Sequence, residues 1–268
     1  MLKFPDKITS DKRNELNSSY RNNVYSEYVS CHIIDALGYD VQVTLLGKYK
    51  GKETVACKDF CIDGYELNEF DKYRSSFSID FENTKYPDIY DVIDALENDH
   101  SNMGIDPSIT IEQFWDIFAL DTLLGNFDRH TGNWGYLYND EIDDVKLAPI
   151  YDCGACLYPM LSDDGMIQVL QDEELIKKRI YEFPKPAFEM NGKRLTYHDF
   201  LQSDYAYKNI QLKKSITKLC DRYNSSIIKK VIQQTPHISD ARADFYVKII
   251  DERLRRLIYA YQIKETLI

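Results

Sequence analysis

The feature that most constrains this chain is a run from Thr110 to Leu124 whose apolar residues extend nearly all the way round a helical wheel. Phe114, Trp115, Ile117, Phe118, Leu120, Leu123 and Leu124 leave little polar face, so a helix here has to be buried as a spine rather than laid on a surface. Thr110, with Gln113 three residues on, reads as its start and Gly125 as its stop. The segment after the stop then sits at the end of a rigid support. Its sequence, Gly-Asn-Phe-Asp-Arg-His-Thr-Gly-Asn-Trp-Gly over 125–135, is dense in turn-forming and chemically active side chains.

The segments before the spine predict a β, α, β, β order. Met1 to Phe4 read as a strand stopped by Pro5. Asn23 to Leu37 carry apolar residues at a helical rhythm closed by Gly38. Two β-rich runs, Asp40 to Leu46 and Glu53 to Ile62, flank the polar GKYKGK, which suits a hairpin turn. Beyond Gly64 the pattern turns helical, with a short run at Asp88 to Leu96 and long ones at Gln211 to Gln233 and Ser239 to Gln262. The acidic stretch from Asp163-Asp164 to Asp172-Glu173-Glu174 reads as a solvated loop, with recognition of a basic substrate as the alternative. No linker, repeat or low-complexity tract separates these parts. The expectation is an α+β chain of two lobes, 1–62 small and β-rich and 63–268 larger and mostly helical, with a ligand cleft between them.

Phosphoryl transfer needs a carboxylate to orient the attacking hydroxyl and oxygen ligands that hold Mg²⁺ against nucleotide phosphates. Asp128 and Asn133 stand five residues apart, the separation between the catalytic Asp and the metal-binding Asn of a protein-kinase catalytic loop. Nineteen residues after Asn133 comes Asp152-Cys153-Gly154, an Asp-x-Gly placed just after an apolar run, Val145 to Ile150, that reads as a strand. Any one of these pairs is, taken singly, a turn signal. Their joint order between a buried helix and a strand points to three converging oxygen donors, a set that suits magnesium better than zinc. The alternative metal site is a four-thiolate zinc built from Cys57, Cys61, Cys153 and Cys156.

The same residues carry a resemblance. GNFDRHTGNWG followed by APIYDCG is similar to the kinase core of the HipA family, whose pattern is Asn-x-Asp-Arg-His-x-x-Asn and then Tyr-Asp; phosphatidylinositol kinases share Asp-Arg-His-x-x-Asn. LKFP near the start resembles the strand carrying the ATP-pairing lysine, and CKDF, Cys57 to Phe60, resembles the hinge that meets adenine. The likeness spans most of the chain and is greatest to the short members made of the kinase part alone. It implies a two-lobed protein-kinase-like fold that phosphorylates serine or threonine in proteins, with ATP and Mg²⁺ as cofactors. By that resemblance Asp128 is the catalytic base, and Asn133 and Asp152 bind the metal. Lys3 and Glu27 form the lysine–glutamate pair, Lys58 and Phe60 belong to the hinge, and Tyr151 lies against the nucleotide; His130 stands with them among the cofactor-binding candidates, while on its own it reads as a hydrogen-bonded structural histidine that buttresses the loop. An antitoxin protein is the implied partner. One departure stands out: the family places a Gly/Ser-bearing phosphate loop before the lysine strand, whereas only Met1 and Leu2 precede Lys3. The expectation is therefore of an N-terminally incomplete small lobe, with a catalytically impaired nucleotide-binding protein as the second reading.

Composition sets the limits. With 33 Lys+Arg against 44 Asp+Glu the net charge is −11, which repels a phosphate backbone, and no dense basic block offsets it; direct nucleic-acid binding is not expected. The missing basic patch also argues against the third reading, a lipid or small-molecule kinase. The N-terminus lacks the apolar core of a signal peptide, no stretch is long enough for a membrane span, and six cysteines are too sparse for a disulfide scaffold. A cytoplasmic protein is expected.

Overall fold

The computed structural model describes residues 1–5, 23–74, 86–98 and 104–262, and in 73–74 the backbone only. Strand β1 (Leu2–Lys3) ends before Pro5, which has no N–H to continue a ladder. Helix α1 (Asn23–Ala36) forms as expected. Strands β2 (Thr44–Tyr49) and β3 (Lys52–Cys57) form a hairpin, closed by Lys50 and Gly51 with φ of 51° and 77°. Both values are positive, the geometry that matches strand twist in a two-residue turn. The hairpin lies where GKYKGK predicts it, but the strands run deeper into that segment, pairing Gly47 with Thr54 and Tyr49 with Lys52. The sheet order is β1-β3-β2, all antiparallel, and α1 packs on it through Val24 against Leu46, Val55 and Cys57.

The strand expected from Asp40 begins only at Thr44. Residues 40–42 serve a different purpose: the Ile150 N–H donates to the Asp40 carbonyl at 2.9 Å, and the Gln42 N–H donates to the Ile150 carbonyl at 2.8 Å. These bonds clip the segment after α1 to the segment that leads into Asp152.

A second antiparallel sheet, order β4-β5-β6, is built from β4 (Glu66–Glu69), β5 (Gly135–Asn139) and β6 (Asp144–Leu147). The run expected to be a strand through Ile150 leaves the sheet after Leu147, and Ile150 makes a lone parallel bridge to Val41. Between β4 and β5 come α2 (Phe70–Arg74), α3 (Ile89–Asn98) and the spine, α4 (Pro107–Leu124). The spine starts three residues before Thr110. Asp106 caps it by accepting the Ser108 N–H at 2.8 Å, and Pro107 occupies the first turn, where its missing N–H costs nothing. Trp115, Ile117, Phe118, Ala119, Leu120, Leu123 and Leu124 are all buried, and Gly125 stops the helix with φ of 70°.

The acidic stretch is not a loop. It forms α5 (Asp163–Gln171) and α6 (Glu173–Tyr181), capped by Ser162 and Asp172, with its acids in the first turns, where they face the positive end of the helix dipole. After α7 (Tyr197–Leu201) and α8 (Asp204–Lys208), the run expected as one helix from Gln211 to Gln233 is two, α9 (Ile210–Arg222) and α10 (Ser225–Gln233). Asn224 breaks it by turning its side chain onto the N–H groups of Ser226 and Ile227. Helix α11 (Asp240–Arg253), capped by Ser239, runs on into a wider π-helical stretch, Leu254–Tyr259. Ser75, Ser76 and Ser78, weak candidates for modification, lie outside the described residues. Among the described residues no helix is long and apolar enough to cross a membrane.

Gly135 opens β5 directly behind the loop that leaves the spine. A Cβ there would stand 2.3 Å from the Asn68 carbonyl oxygen and 2.9 Å from the Glu69 Cα, both backbone atoms of the paired strand. Gly135→Ala is expected to cost about 1–3 kcal/mol of stability, the range for overpacking a tight site. Chemical denaturation checks this; a midpoint equal to that of the parent would contradict the fit.

Candidate active site

The loop that leaves the spine is built around Arg129. Its Nε donates to Asp121 Oδ2 at 3.0 Å, Nη2 to Asp121 Oδ1 at 3.3 Å, and Nη1 to the Asn133 carbonyl at 2.8 Å. Nη1 also donates to the Tyr151 carbonyl, and Nη2 lies 3.6 Å from Cys153 Sγ. The Arg129 and Asp121 side chains are 8% and 5% exposed. Burial works against the guanidinium charge, yet the facing Asp121 carboxylate outweighs it and holds the Arg129 pKa above its ordinary value. One buried cation thus joins the last turn of α4, the far end of the loop and the residue before Asp152.

Within the loop, Asn126 acts as a local brace. Its Nδ2 donates to Asp121 Oδ1, its Oδ1 accepts the Asp128 N–H, each at 3.0 Å, and its carbonyl accepts the Tyr197 hydroxyl at 2.7 Å. The Asp128 carbonyl accepts from the His130 N–H and from Asn133 Nδ2, both at 2.8 Å. The Asp128 carboxylate is left exposed on a loop whose backbone is tied down. His130 does buttress the loop: its Nδ1 accepts the Gly132 N–H at 3.1 Å, which places the ring proton on Nε2. Because Asn133 spends its amide nitrogen on Asp128, its Oδ1 is the atom available to a ligand.

Asp152 adopts φ of 54°, a left-handed conformation uncommon outside glycine and most accessible to Asp and Asn. Its Oδ1 accepts from Lys3 Nζ at 2.8 Å, and Lys3 also donates to Glu27 Oε2 at 3.0 Å. Lys3, Glu27 and Asp152 are therefore brought together from β1, α1 and the segment after β6. Burial opposes the Lys3 charge, but Glu27 and Asp152 together override it and raise the lysine pKa, so the ammonium stays charged. Glu27 is fully buried. Gly154 makes the approach of α1 feasible, since a Cβ there would lie 3.2 Å from Glu27 Oε2.

The hinge segment is placed less directly. The Lys58 N–H donates to the Val43 carbonyl at 2.8 Å and its carbonyl accepts from Gln42 Nε2 at 3.0 Å, so both backbone groups of Lys58 are already engaged. The Phe60 ring instead faces Tyr151, centroids 5.5 Å apart, and the Tyr151 hydroxyl donates to the Gly132 carbonyl at 3.1 Å. The four-thiolate zinc site does not form. Cys57 packs with Val24, Leu46 and Val55, Cys61 packs near Phe60 and Leu67, and Cys153 and Cys156 are buried elsewhere. Among the described residues no group of three His, Cys, Asp or Glu is placed to hold a metal ion.

Sequence reasoning missed Asp121 and the work of Arg129. The signal was present: an aspartate in a helix otherwise apolar all round must meet a buried partner, because an unpaired charge there is too costly. Removing Asp121 should leave the Arg129 charge stranded, so Asp121→Ala is expected to lose about 3–5 kcal/mol of stability. Denaturation with a loss below about 1 kcal/mol would contradict that. Glu27 supplies a pH test. Burial first, then Cys153, pushes its carboxyl up to about 7 from an ordinary 4.5, with Lys3 opposing. The folded state then takes up a proton between those values, and the contribution of this group to stability falls as pH rises through that window. The melting temperature of Glu27→Gln, relative to the parent, is expected to rise between about pH 4.5 and 7; a constant difference would count against it.

Residues 1–236 match the HipA-like C-terminal domain family. The chain is 39% identical over 260 residues to the serine/threonine-protein kinase CtkA of Helicobacter pylori, covering 96% of this chain and 77% of that protein. The crystal structure of the H. pylori proinflammatory kinase CtkA superposes with a TM-score of 0.87 at 36% identity, covering 98% of this chain and 89% of that one. HipA of Shewanella oneidensis, solved in complex with HipB and operator DNA, shares the fold at a TM-score of 0.55 and 15% identity, over 87% of this chain and 55% of that one. The protein has an α+β, two-lobed kinase-like fold, and it belongs to the HipA-like family.

Proposed function

We propose that the chain is a serine/threonine protein kinase of HipA type that transfers the γ-phosphoryl group of ATP, as its Mg²⁺ complex, to a protein hydroxyl. The observation that supports this most is the Lys3 ammonium held between Glu27 and Asp152, close to a loop that presents the exposed Asp128 carboxylate. A cation kept charged by two carboxylates suits the α- and β-phosphates. The donor set fits magnesium, which takes few protein oxygens and keeps its waters: Asn133 Oδ1 and the Asp152 carboxylate are hard oxygens, and among the described residues no thiolate or imidazole cage forms. When bound, Mg²⁺ neutralises phosphate charge and holds the nucleotide for in-line transfer.

The chain's own residues divide the remaining tasks. Asp128 orients the incoming serine or threonine hydroxyl and takes its proton. Asn133 and Asp152 would hold the metal, each adjoining a carbonyl that Arg129 clamps. Phe60 and Tyr151 flank the adenine; Lys58, its backbone engaged, fixes the hinge rather than the base. His130 keeps the loop in shape. We take 1–62 and 63–268 as the two lobes, with the nucleotide between them. Family membership is the ground for reading the protein as cytoplasmic and as the toxin component of a toxin–antitoxin pair, with a protein substrate and an antitoxin as partners.

The test is transfer of labelled γ-phosphate from ATP to the chain itself or to a generic protein substrate. Asp128→Asn is expected to lower the rate about 10²–10⁴-fold, the range for removing a positioned general base, with ATP affinity held within about twofold. Equal rates in parent and variant, or no transfer by the parent, would overturn the proposal.

A further inference from the structure

Beside Asp128 stands an aromatic surface to which the proposed reaction has so far assigned no task. Phe127, the residue before Asp128, is half-buried, and its ring meets that of Phe183, centroids 5.7 Å apart. Phe183 lies just after α6 and is 41% exposed. Consecutive Cα atoms are about 3.8 Å apart, so this pair of rings begins one residue from the group proposed to take the substrate proton.

Single exposed apolar residues are ordinary on a protein surface. Phe183 differs in how firmly it is held. Its carbonyl accepts from the Tyr158 hydroxyl at 2.8 Å and from Arg253 Nη2 at 3.4 Å, and its N–H donates to the Lys178 carbonyl of α6 at 3.2 Å. Arg253 is fully buried and also donates to the Thr122 carbonyl, in the last turn of the spine, at 2.7 Å. The buried Tyr158 ring stands against the Phe183 ring, centroids 5.9 Å apart.

Arg194 fixes the other ring to the same segment. Its Nη2 donates to the Phe127 and Lys185 carbonyls, each at 3.3 Å, and its Nε to the Pro186 carbonyl at 3.0 Å. One guanidinium therefore joins the residue before Asp128 to the residues that follow Phe183. The two rings are set in place before a ligand arrives, so covering them costs little ordering. An aromatic held in this way and left in water gains from burial under another apolar side chain.

We propose that Phe183, with Phe127, determines specificity for the protein substrate by taking an aromatic or large aliphatic side chain within about four residues of the phosphorylated serine or threonine. The inference rests on the kinase reading above and names its substrate class. The reach follows from chain geometry: an extended peptide advances about 3.3–3.6 Å per residue, and the Phe183 ring stands one ring contact beyond the neighbour of Asp128. An acidic side chain would meet the negative faces of two rings and the Asp128 carboxylate. A basic one would meet the Arg194 guanidinium and Lys185, whose ammonium donates to the Arg194 carbonyl at 3.3 Å.

The test uses the full chain with ATP, Mg²⁺ and Ala/Gly peptides that carry one serine or one threonine, with Phe, Ala, Asp or Arg placed in turn at each position within that range. At one position or two adjacent ones, Phe is expected to raise kcat/KM at least about tenfold over the other three, the low end for discrimination by an apolar surface. Phe183→Ala should bring that ratio below about threefold, and Phe183→Glu should reverse it in favour of Arg, a switch that misfolding cannot produce. Labelling of proteins but of no peptide, equal rates for the four residues, a preference of the parent for Asp or Arg, or a Phe preference that persists in Phe183→Ala and Phe183→Glu would overturn this inference and leave the kinase reading standing. Absence of transfer to any acceptor would overturn both.

Discussion

The buried guanidinium of Arg129 is the contact on which the rest of the site depends. It spends its donors on Asp121 at the end of the spine, on the carbonyl of Asn133 and on the carbonyl of Tyr151. The end of the spine, the end of the loop and the segment after β6 are thereby fixed to one planar group with a fork geometry that a lysine would not reproduce. The clamp is costly to assemble, since both charges leave water. It holds because the pairing is bidentate and the remaining donors meet carbonyls. Its yield is positional: Asn133 and Asp152 flank the same cation.

The first sheet adds a second, looser set of contacts. Lys3 reaches Asp152 and Glu27 at once, so α1 and β1 are joined to the segment after β6 by side chains at a partly exposed edge. The backbone clip between Asp40, Gln42 and Ile150 adds a second tie on the other side of that segment. Asp152 thus sits where β1, α1 and the loop that leaves the spine meet. Its left-handed backbone is held from both directions, by Arg129 at residue 151 and by Lys3 at its own carboxylate. For the proposed nucleotide site, the −11 charge is a statement about the surface average, whereas the local group is a lysine paired with two carboxylates.

Much of this was legible from the residues. The spine, α1 and the hairpin follow from periodicity and from glycine stops, and the spacing of Asp128, Asn133 and Asp152 is the sequence signal on which the proposed chemistry rests. The parts that were not legible share a cause: they depend on side chains capping or crossing between elements. Asp106 moves the start of the spine, Asn224 splits a continuous apolar pattern, and Ser162 with Asp172 turn an acidic stretch into two helix starts. Likewise the engagement of Lys58, in the segment expected as the hinge, depends on Val43 and Gln42, residues of another part of the chain. Asp121 and Asp116 show the opposite case. Each is an acid in an apolar helix, and each marks a place where another element had to supply a partner.

The proposed convergence of Asn133 and Asp152 on one divalent ion is tested most directly by Mn²⁺ in place of Mg²⁺, followed by electron paramagnetic resonance with and without ATP. We expect the chain to immobilise Mn²⁺ strongly only when ATP is present, and Asp152→Asn and Asn133→Leu each to weaken that binding by about tenfold or more while the chain stays folded. Mn²⁺–ATP binding unchanged in both variants would contradict the site as built.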